Sequence, residues 1–349
     1  MPKRRLSGRQ MERIRAIQER RRRRLEERIL LSLADADADR NALDLDGQTR
    51  STSIEEAEPR AGLVVVRHGA SLAVEDEQGR VHRCRTRRHI GHPVCGDRVV
   101  WQPAEAGAGI VTALQPRDTA LSRPDYSGRD KPLAANISLM AIVIATRPRP
   151  TGYLVDQYLV AAELIGVDAV IVINKMDLLN ADEQIEFQRS FEHYIKLGCP
   201  VLAVSVKGRP GVDALLPYLA GRTVILLGQS GVGKSSLAKS LLPDQDVQIG
   251  RLSEATGLGR HTTSAATCYR LGNDGHLIDS PGVRSFRLGN IGQSDLERGF
   301  REFAPYIGHC RFTDCHHLHE PDCAILAAVE AGEIAPQRLR NFHRLAGAG

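Results

Sequence analysis

The sequence predicts a multidomain α/β fold: an N-terminal β-barrel of OB type, a phosphate-loop domain built on a mainly parallel sheet, and a C-terminal α-helical domain organised by a metal ion. Three observations predict it. Five short β-rich segments crowd the stretch 60–118. From Asn136 onward, apolar strands alternate with helical patterns and run into a glycine-rich loop at 228–236. Close to the end, Cys310, Cys315, His317 and Cys323 share one short polar stretch. The expected division is a basic arm and acidic linker at 1–58, a barrel at 60–118, the phosphate-loop domain at 125–290 and the metal-binding domain at 291–349.

At 349 residues the chain is long enough for two or three domains. No apolar run approaches the roughly 20 residues that span a bilayer. The basic N-terminus has no apolar signal core, so neither a membrane protein nor a secreted one is expected. Seven cysteines, an odd number with three of them beside histidines, point to a reducing cytoplasm and a metal site rather than to disulfides. A net charge of +5 suits a nucleic-acid partner.

The first 31 residues are rich in arginine, with only Met11, Ile14 and Ile17 as an apolar stripe. Such an arm is expected to be disordered alone and to contact phosphate when bound. Residues 34–58 are acidic and small, a linker composition. The segments 63–66, 71–74, 81–84, 98–101 and 109–112 then fit a small closed barrel. Arg83, Arg85, Arg87, Arg88 and His89 give it a basic face for RNA; aromatics for stacking on bases are scarce, essentially Trp101, which favours contacts to the nucleic-acid backbone instead.

Residues 138–145, 169–173, 201–204 and 223–227 read as buried strands, with helices at 153–165, 182–195 and 211–219 between them. This alternation predicts a mainly parallel sheet with helices on both faces. Gly228, Gln229, Ser230, Gly231, Val232, Gly233, Lys234 and Ser235, followed by Ser236, spell G-x-x-x-x-G-K-S between a strand and a helix. In that setting, glycine N–H groups and a helix start cradle phosphates. Lys234 is the expected partner of the β- and γ-phosphates, and Ser235 of Mg²⁺.

Asn174, Lys175, Met176 and Asp177 spell N-K-x-D at the carboxyl end of a strand, the edge where open α/β sheets bind ligands. The Asp177 carboxylate can accept from the ring N–H and the exocyclic amine of guanine, which adenine does not offer. A hydrogen bond to a charged group is worth about 1.5–3 kcal/mol, enough to choose GTP over ATP. Lys175 can lie along the base and Asn174 can tie the two loops together. Ser205, Val206 and Lys207 sit where a backbone N–H can meet the guanine carbonyl.

Two further segments complete the set. Asp279, Ser280, Pro281 and Gly282 spell D-x-x-G, with Asp279 expected to hold Mg²⁺ through water and the Gly282 N–H to meet the γ-phosphate. The segment 257–263 is Gly-rich and polar; one of its threonines, Thr262 or Thr263 with Thr263 preferred, would complete the Mg²⁺ shell as an order–disorder switch. The order is permuted, because N-K-x-D precedes the phosphate loop. Old chain ends can be joined and new ones cut because domain termini lie close together. Val283 follows D-x-x-G, where many GTPases carry a water-orienting Gln, and His261 is the local candidate to orient water instead.

Cys310, Cys315, His317 and Cys323 form Cys-x4-Cys-x-His-x5-Cys, three thiolates and an imidazole suited to a closed, structural tetrahedral Zn²⁺ site. His309, His316 and His319 compete for the fourth place. The closing segment 336–345 carries Arg338, Arg340, His343 and Arg344 and reads as a basic helix able to touch RNA.

These motifs in this order resemble the family of ribosome small subunit-dependent GTPases, RsgA, also called YjeQ. The likeness rests on P-V-C-G-D at 93–97, A-A-N at 134–136, N-K-M-D, G-Q-S-G-V-G-K-S-S, G-R-H-T-T at 259–263, D-S-P-G-V at 279–283 and the cysteine–histidine pattern. It implies an OB barrel, a circularly permuted GTPase domain and a zinc domain, with GTP or GDP, Mg²⁺ and one structural Zn²⁺ as ligands. It implies a cytoplasmic GTPase that acts late in small-subunit assembly, binds ribosomal RNA near the decoding region and is stimulated by the subunit. The family's switch histidine falls on His261. The chain is expected to work as a monomer, away from membranes. A second reading is a GTP-gated RNA-binding switch whose hydrolysis is incidental. A third, an RNA-modifying enzyme driven by ATP or GTP, lacks a second catalytic constellation.

Overall fold

The computed structural model describes residues 58–69, 71–87, 89–104, 108–124, 130–208, 210–242, 266–272, 274–279 and 291–347. The expected basic arm and nearly all of the acidic linker, Arg88, the segment 257–263 and residues 280–283 lie outside the described residues.

Five strands make the barrel: β1 (Arg60–His68), β2 (Ser71–Glu75), β3 (Val81–Thr86), β4 (Arg98–Pro103) and β5 (Ala108–Leu114). They run β1-β2-β3-β5-β4, and a second pairing of β1 with β4 closes the ring. A register shift between Val64 and Val66 lets β1 serve both neighbours. Alternation turns Val64, Leu72, Val74, Cys84, Val99 and Val111 inward and leaves Arg83, Arg85, Arg87 and His89 exposed. Trp101 also turns inward. It is 1% exposed and lies between Gly62 and Gly109, where an added Cβ would come within 2.9 and 2.7 Å of the indole. Its indole N–H donates to the Ala61 carbonyl at 3.3 Å. The barrel uses this ring as its core, so the one aromatic that could have stacked on a base is withdrawn from the surface, in keeping with the expected preference for backbone contacts.

An antiparallel pair, β6 (Ala120–Pro124) with β7 (Asp130–Ala135), follows, and the expected domain boundary at 125 falls inside it. Sequence patterning missed the pair because Pro124 and Pro132 break its alternation. The chain then runs through β8 (Leu139–Ala145), α1 (Gly152–Ile165), β9 (Asp168–Asn174), α2 (Ala181–Arg189), α3 (Glu192–Lys196), β10 (Val201–Ala203), α4 (Leu216–Leu219), β11 (Thr223–Leu227), α5 (Lys234–Leu241), β12 (Thr267–Arg270) and β13 (His276–Asp279). The sheet order is β10-β9-β8-β11-β13-β12. The first five strands are parallel, and antiparallel β12 joins β1 of the barrel through Val66 and Thr267. Ile142, Ile144, Ile171, Ile173, Ile225 and Leu227 face α1, α2 and α3, while Val143, Val170, Val172, Val224 and Leu226 face α4 and α5. Burial on both faces is why these strands read as unbroken apolar runs.

Two expected helices differ from the structure. The single helix at 182–195 is two, α2 and α3. The Ser190 hydroxyl donates to the Phe187 carbonyl at 2.6 Å and competes for the acceptor that the Phe191 N–H would use in a continuous helix. The helix at 211–219 is a tight turn followed by the single turn of α4, where Pro217 supplies no N–H to extend the ladder back.

The motifs P-V-C-G-D and A-A-N join the barrel to the sheet. Asp97 is fully buried and accepts from the Val94 N–H at 2.7 Å and from Arg117 at 2.7 and 2.8 Å. The Asn136 amide donates to the Gly96 carbonyl at 2.8 Å and accepts from the Asp118 N–H at 2.9 Å. The Cys95 thiol reaches the Val65 and Ala266 carbonyls, at 3.3 and 3.0 Å.

At the C-terminal end, α6 (Gln293–Gly299), α7 (Ala324–Glu330) and α8 (Pro336–Leu345) pack Leu296, Phe300, Phe303, Ile325, Ile334 and Phe342 together and against Val160 of α1. Expected as an RNA contact, Arg338 of α8 is instead 2% exposed and bridges Asp156 and Glu302. Arg340 and Arg344 remain exposed. No helix among the described residues is long and apolar enough to cross a membrane.

Asp76 closes the β2–β3 turn. It accepts from the Arg80 N–H at 2.8 Å and the Gln78 N–H at 3.0 Å, and its carboxylate lies 2.7 Å from His82 Nε2. Burial alone would raise this carboxyl, but His82 and the two N–H groups outweigh it and hold the group below its ordinary value. A depressed carboxylate stabilises the fold above its unfolded pKa of about 4 and loses that contribution as pH falls through the folded value. Asp76→Asn should therefore cost roughly 1–3 kcal/mol at neutral pH, and thermal melts should show the gap to wild type closing as pH drops below about 4.

Candidate nucleotide-binding site and metal centre

The phosphate loop leaves the carboxyl end of β11 and the N-K-x-D segment leaves that of β9, with β8 between them in the sheet. Gly228 opens the loop at φ +137°, and a Cβ there would lie 2.0 Å from the Val143 carbonyl oxygen, so no larger residue fits. Lys234 is buried, and its ammonium donates to the Gly228 and Gln229 carbonyls, each at 2.6 Å. Val232 plugs the loop into the core beneath α5. Ser230, Gly231, Ser235 and Ser236 are exposed along the mouth, and Gly233 turns the chain at φ +95° into α5. A helix start with an ammonium folded beneath the loop is a site for an anion.

The two loops grip each other directly. The buried Asn174 amide donates to the Val232 carbonyl at 2.9 Å, and its oxygen accepts from the Lys175 N–H at 2.8 Å. Lys175 has φ +62°, and its ammonium bridges the Arg147 and Gly231 carbonyls at 2.9 and 2.6 Å. The Thr146 hydroxyl donates to the Lys175 carbonyl at 3.0 Å. Met176 is buried and anchors the turn in the core. Asp177 is exposed and is held by a hydrogen bond from the Ser205 hydroxyl, which itself accepts from the Gly208 N–H at 3.0 Å. The Ser205 N–H is already committed to the Gly211 carbonyl, at 3.0 Å. Val206 is partly buried and Lys207 exposed. Asp279, half-buried, ends β13 beside β11. His261, Thr262, Thr263 and Gly282 lie outside the described residues.

Sequence reasoning did not single out Thr146, Arg147 or Gly208. Their parts are played by carbonyls, a hydroxyl and an N–H in loops, and no motif marks them.

In the metal centre, the ligand atoms of Cys310, Cys315, His317 and Cys323 all lie within 4.8 Å of one another. Cys310 and Cys323 Sγ are 3.8 Å apart, and His317 Nδ1 lies 3.3 Å from Cys323 Sγ and 3.6 Å from Cys310 Sγ. Tetrahedral zinc with its usual bond lengths requires about 3.8 Å between sulfurs and about 3.6 Å between sulfur and nitrogen. The cluster is thus compatible with zinc. Burial pushes the Cys315 thiol up to about 12 and raises Cys323 as well. The far ring nitrogen of His317 lies 3.2 Å from Glu297 Oε1, whose other neighbour is the Gln293 amide at 2.9 Å. A carboxylate behind a ligating imidazole fixes its tautomer and orientation. Glu297 was not foreseen from the sequence, because only the packing of α6 brings it there.

Comparison with known proteins gives one consistent answer. The family model described as RsgA GTPase matches residues 114–289. The small ribosomal subunit biogenesis GTPase RsgA of Hahella chejuensis is 42% identical over 99% of this chain and 96% of its own. The protein of the same name from Azotobacter vinelandii is 44% identical over 81% and 84%. Among solved structures, YjeQ from Thermotoga maritima aligns at TM-score 0.67 and 31% identity over 83% of this chain and 99% of its own. YloQ, described as a circularly permuted GTPase, aligns at 0.66 and 25% over 86% and 98%. With its permuted strand order, its interlocked loops and relatives alike over nearly its whole length, this chain belongs to the RsgA GTPase family.

Proposed function

We propose that this protein hydrolyses GTP and does so on the small ribosomal subunit, whose late maturation it assists. One observation carries the reading: Asn174 and Lys175 hold the phosphate loop at Val232 and Gly231, at 2.9 and 2.6 Å. A motif suited to guanine and a motif suited to phosphates thereby lie side by side, which supports reading them as one site. The name carried by the relatives, small ribosomal subunit biogenesis GTPase, supports the choice of partner.

In this reading the Asp177 carboxylate, oriented by Ser205, takes the two N–H donors of guanine, while Lys175 lies along the base. The loop from Gly228 to Ser236 takes the phosphates, with Lys234 neutralising charge at the transferred group. Ser235 and a threonine, Thr263 in preference to Thr262, hold Mg²⁺; Asp279 holds it through water; the Gly282 N–H meets the γ-phosphate. His261 orients the attacking water, because the Val283 side chain cannot. The exposed arginines of β3 and the arm at 1–58 address ribosomal RNA. The barrel at 60–118, the permuted domain at 125–290 and the C-terminal domain at 291–349 act as separate modules, and the protein works as a monomer in the cytoplasm. Cys310, Cys315, His317 and Cys323 hold one structural Zn²⁺.

Turnover of GTP measured with and without purified small subunits tests the function. Stimulation of at least tenfold is expected, and His261→Ala should remove it while leaving GTP affinity within about twofold of wild type. Absence of stimulation would favour a GTP-gated RNA switch whose hydrolysis is incidental. For the metal, elemental analysis should find one zinc per chain. Cys323→Ser should lose it, with hydrogen-exchange protection falling across α6, α7 and α8; retained protection without zinc would contradict a structural role.

A further inference from the structure

Strand β8 lies between β9 and β11 in the sheet, so its carboxyl end emerges between the two nucleotide loops. It touches both. On the phosphate side, the Val143 carbonyl closes the space beside Gly228, and Pro148 Cδ would lie 3.9 Å from a Cβ on Gly231. On the base side, the Thr146 N–H donates to the Asn174 carbonyl at 3.4 Å, and the Arg147 carbonyl accepts from the Lys175 ammonium at 2.9 Å. No nucleotide motif marks residues 146–148.

The Thr146 side chain is buried, and its hydroxyl donates to the Lys175 carbonyl at 3.0 Å. That carbonyl also accepts from the Leu178 N–H at 3.1 Å, across the tight turn Met176–Leu178. Asp177 stands in the middle of this turn. One oxygen therefore ties the turn to itself and to the end of β8. Lys175, which bears that oxygen, has φ +62° and ψ +34°, a left-handed conformation that a residue with a Cβ keeps only where its surroundings hold it. Two buried side chains do so: Asn174 takes its N–H at 2.8 Å, and Thr146 reaches its C=O. Beyond the turn, the Ser205 hydroxyl holds the Asp177 carboxylate itself. One hydroxyl thus fixes the backbone that carries Asp177, and another fixes its side chain.

We propose that Thr146 is a positioning residue for guanine: its hydroxyl, acting through the Lys175 carbonyl, sets how the turn presents the Asp177 carboxylate. The end of β8 is thereby a specificity element of the nucleotide site. The proposal rests on the reading of N-K-x-D as the guanine site and adds to it a residue outside the motif.

The test uses the full chain. Thr146→Val keeps the branched shape and removes the hydroxyl; Thr146→Ser keeps the hydroxyl. Affinities are measured for GDP and for inosine diphosphate, which has the ring N–H of guanine but lacks its exocyclic amine. A displaced carboxylate forfeits two hydrogen bonds from guanine and one from hypoxanthine. A lost hydrogen bond of ordinary worth predicts that Thr146→Val binds GDP about two- to tenfold more weakly, with a smaller loss for inosine diphosphate. Thr146→Ser should stay within about twofold of wild type for both. Combined with Asp177→Asn, Thr146→Val should cost no further GDP affinity, because both act on one contact. Should Thr146→Val fail to fold, Thr146→Ala removes the hydroxyl without altering the backbone and should give the same split. Four results would each overturn the part given to Thr146 while leaving the guanine site intact: wild-type GDP affinity without the hydroxyl, equal losses for the two nucleotides, a loss in Thr146→Ser as large as in Thr146→Val, or additive losses in the double variant. A wild-type protein that binds GDP no better than ADP would overturn the site and the proposal together.

Discussion

A single buried carboxamide holds the nucleotide end of the molecule in shape. Asn174 must reach across the end of β8 to the phosphate loop, because β9 and β11 are not adjacent in the sheet. It does so with its donor on Val232 and its acceptor on the Lys175 N–H, at 2.9 and 2.8 Å. A buried amide with both ends satisfied fixes position far better than an apolar contact, since any displacement leaves a polar group unpaired. Everything read as nucleotide chemistry depends on this clasp. It fixes the turn that carries Asp177 against the phosphate loop.

The same economy appears wherever modules meet. Asp97, Arg117 and Asn136 fasten the barrel to the sheet, and Asp156, Arg338 and Glu302 fasten the C-terminal helices to α1. Buried ion networks stabilise little more than well-packed apolar groups would, but removing one partner costs about 3–5 kcal/mol. They therefore penalise mis-seating more than they add stability. Between them runs β12, stitched to β1 on one side and β13 on the other. The barrel, the nucleotide sheet and the C-terminal helices are consequently continuous through hydrogen bonds and charge pairs as well as through apolar packing.

Much of this was legible in the sequence because it rests on local rules. Strands buried on both faces announce themselves as apolar runs, and the five barrel strands by alternation and glycine punctuation. The phosphate loop and the zinc-type cluster are legible because their chemistry demands particular residues at fixed spacing. What was not legible depends on tertiary partners. Trp101 looks like a surface aromatic until Gly62 and Gly109 make room for it inside the barrel. Arg338 looks like a nucleic-acid contact until Asp156 and Glu302, far off in sequence, surround it. The break between α2 and α3 turns on one serine hydroxyl, and β6, β7 and β12 are too short, or too interrupted by proline, to stand out.

The central claim, that one cleft reads guanine through Asp177 and phosphates through the loop at 228–236, is tested most directly by exchanging the base. Affinities for GDP and for xanthosine diphosphate should be measured in wild type and in Asp177→Asn. The carboxylate accepts from guanine's ring N–H and amine, whereas an amide can donate to the carbonyl that xanthine carries in place of the amine. The account predicts that wild type prefers GDP and that the variant reverses to the xanthine nucleotide. An Asp177→Asn protein that keeps the wild-type preference would contradict it.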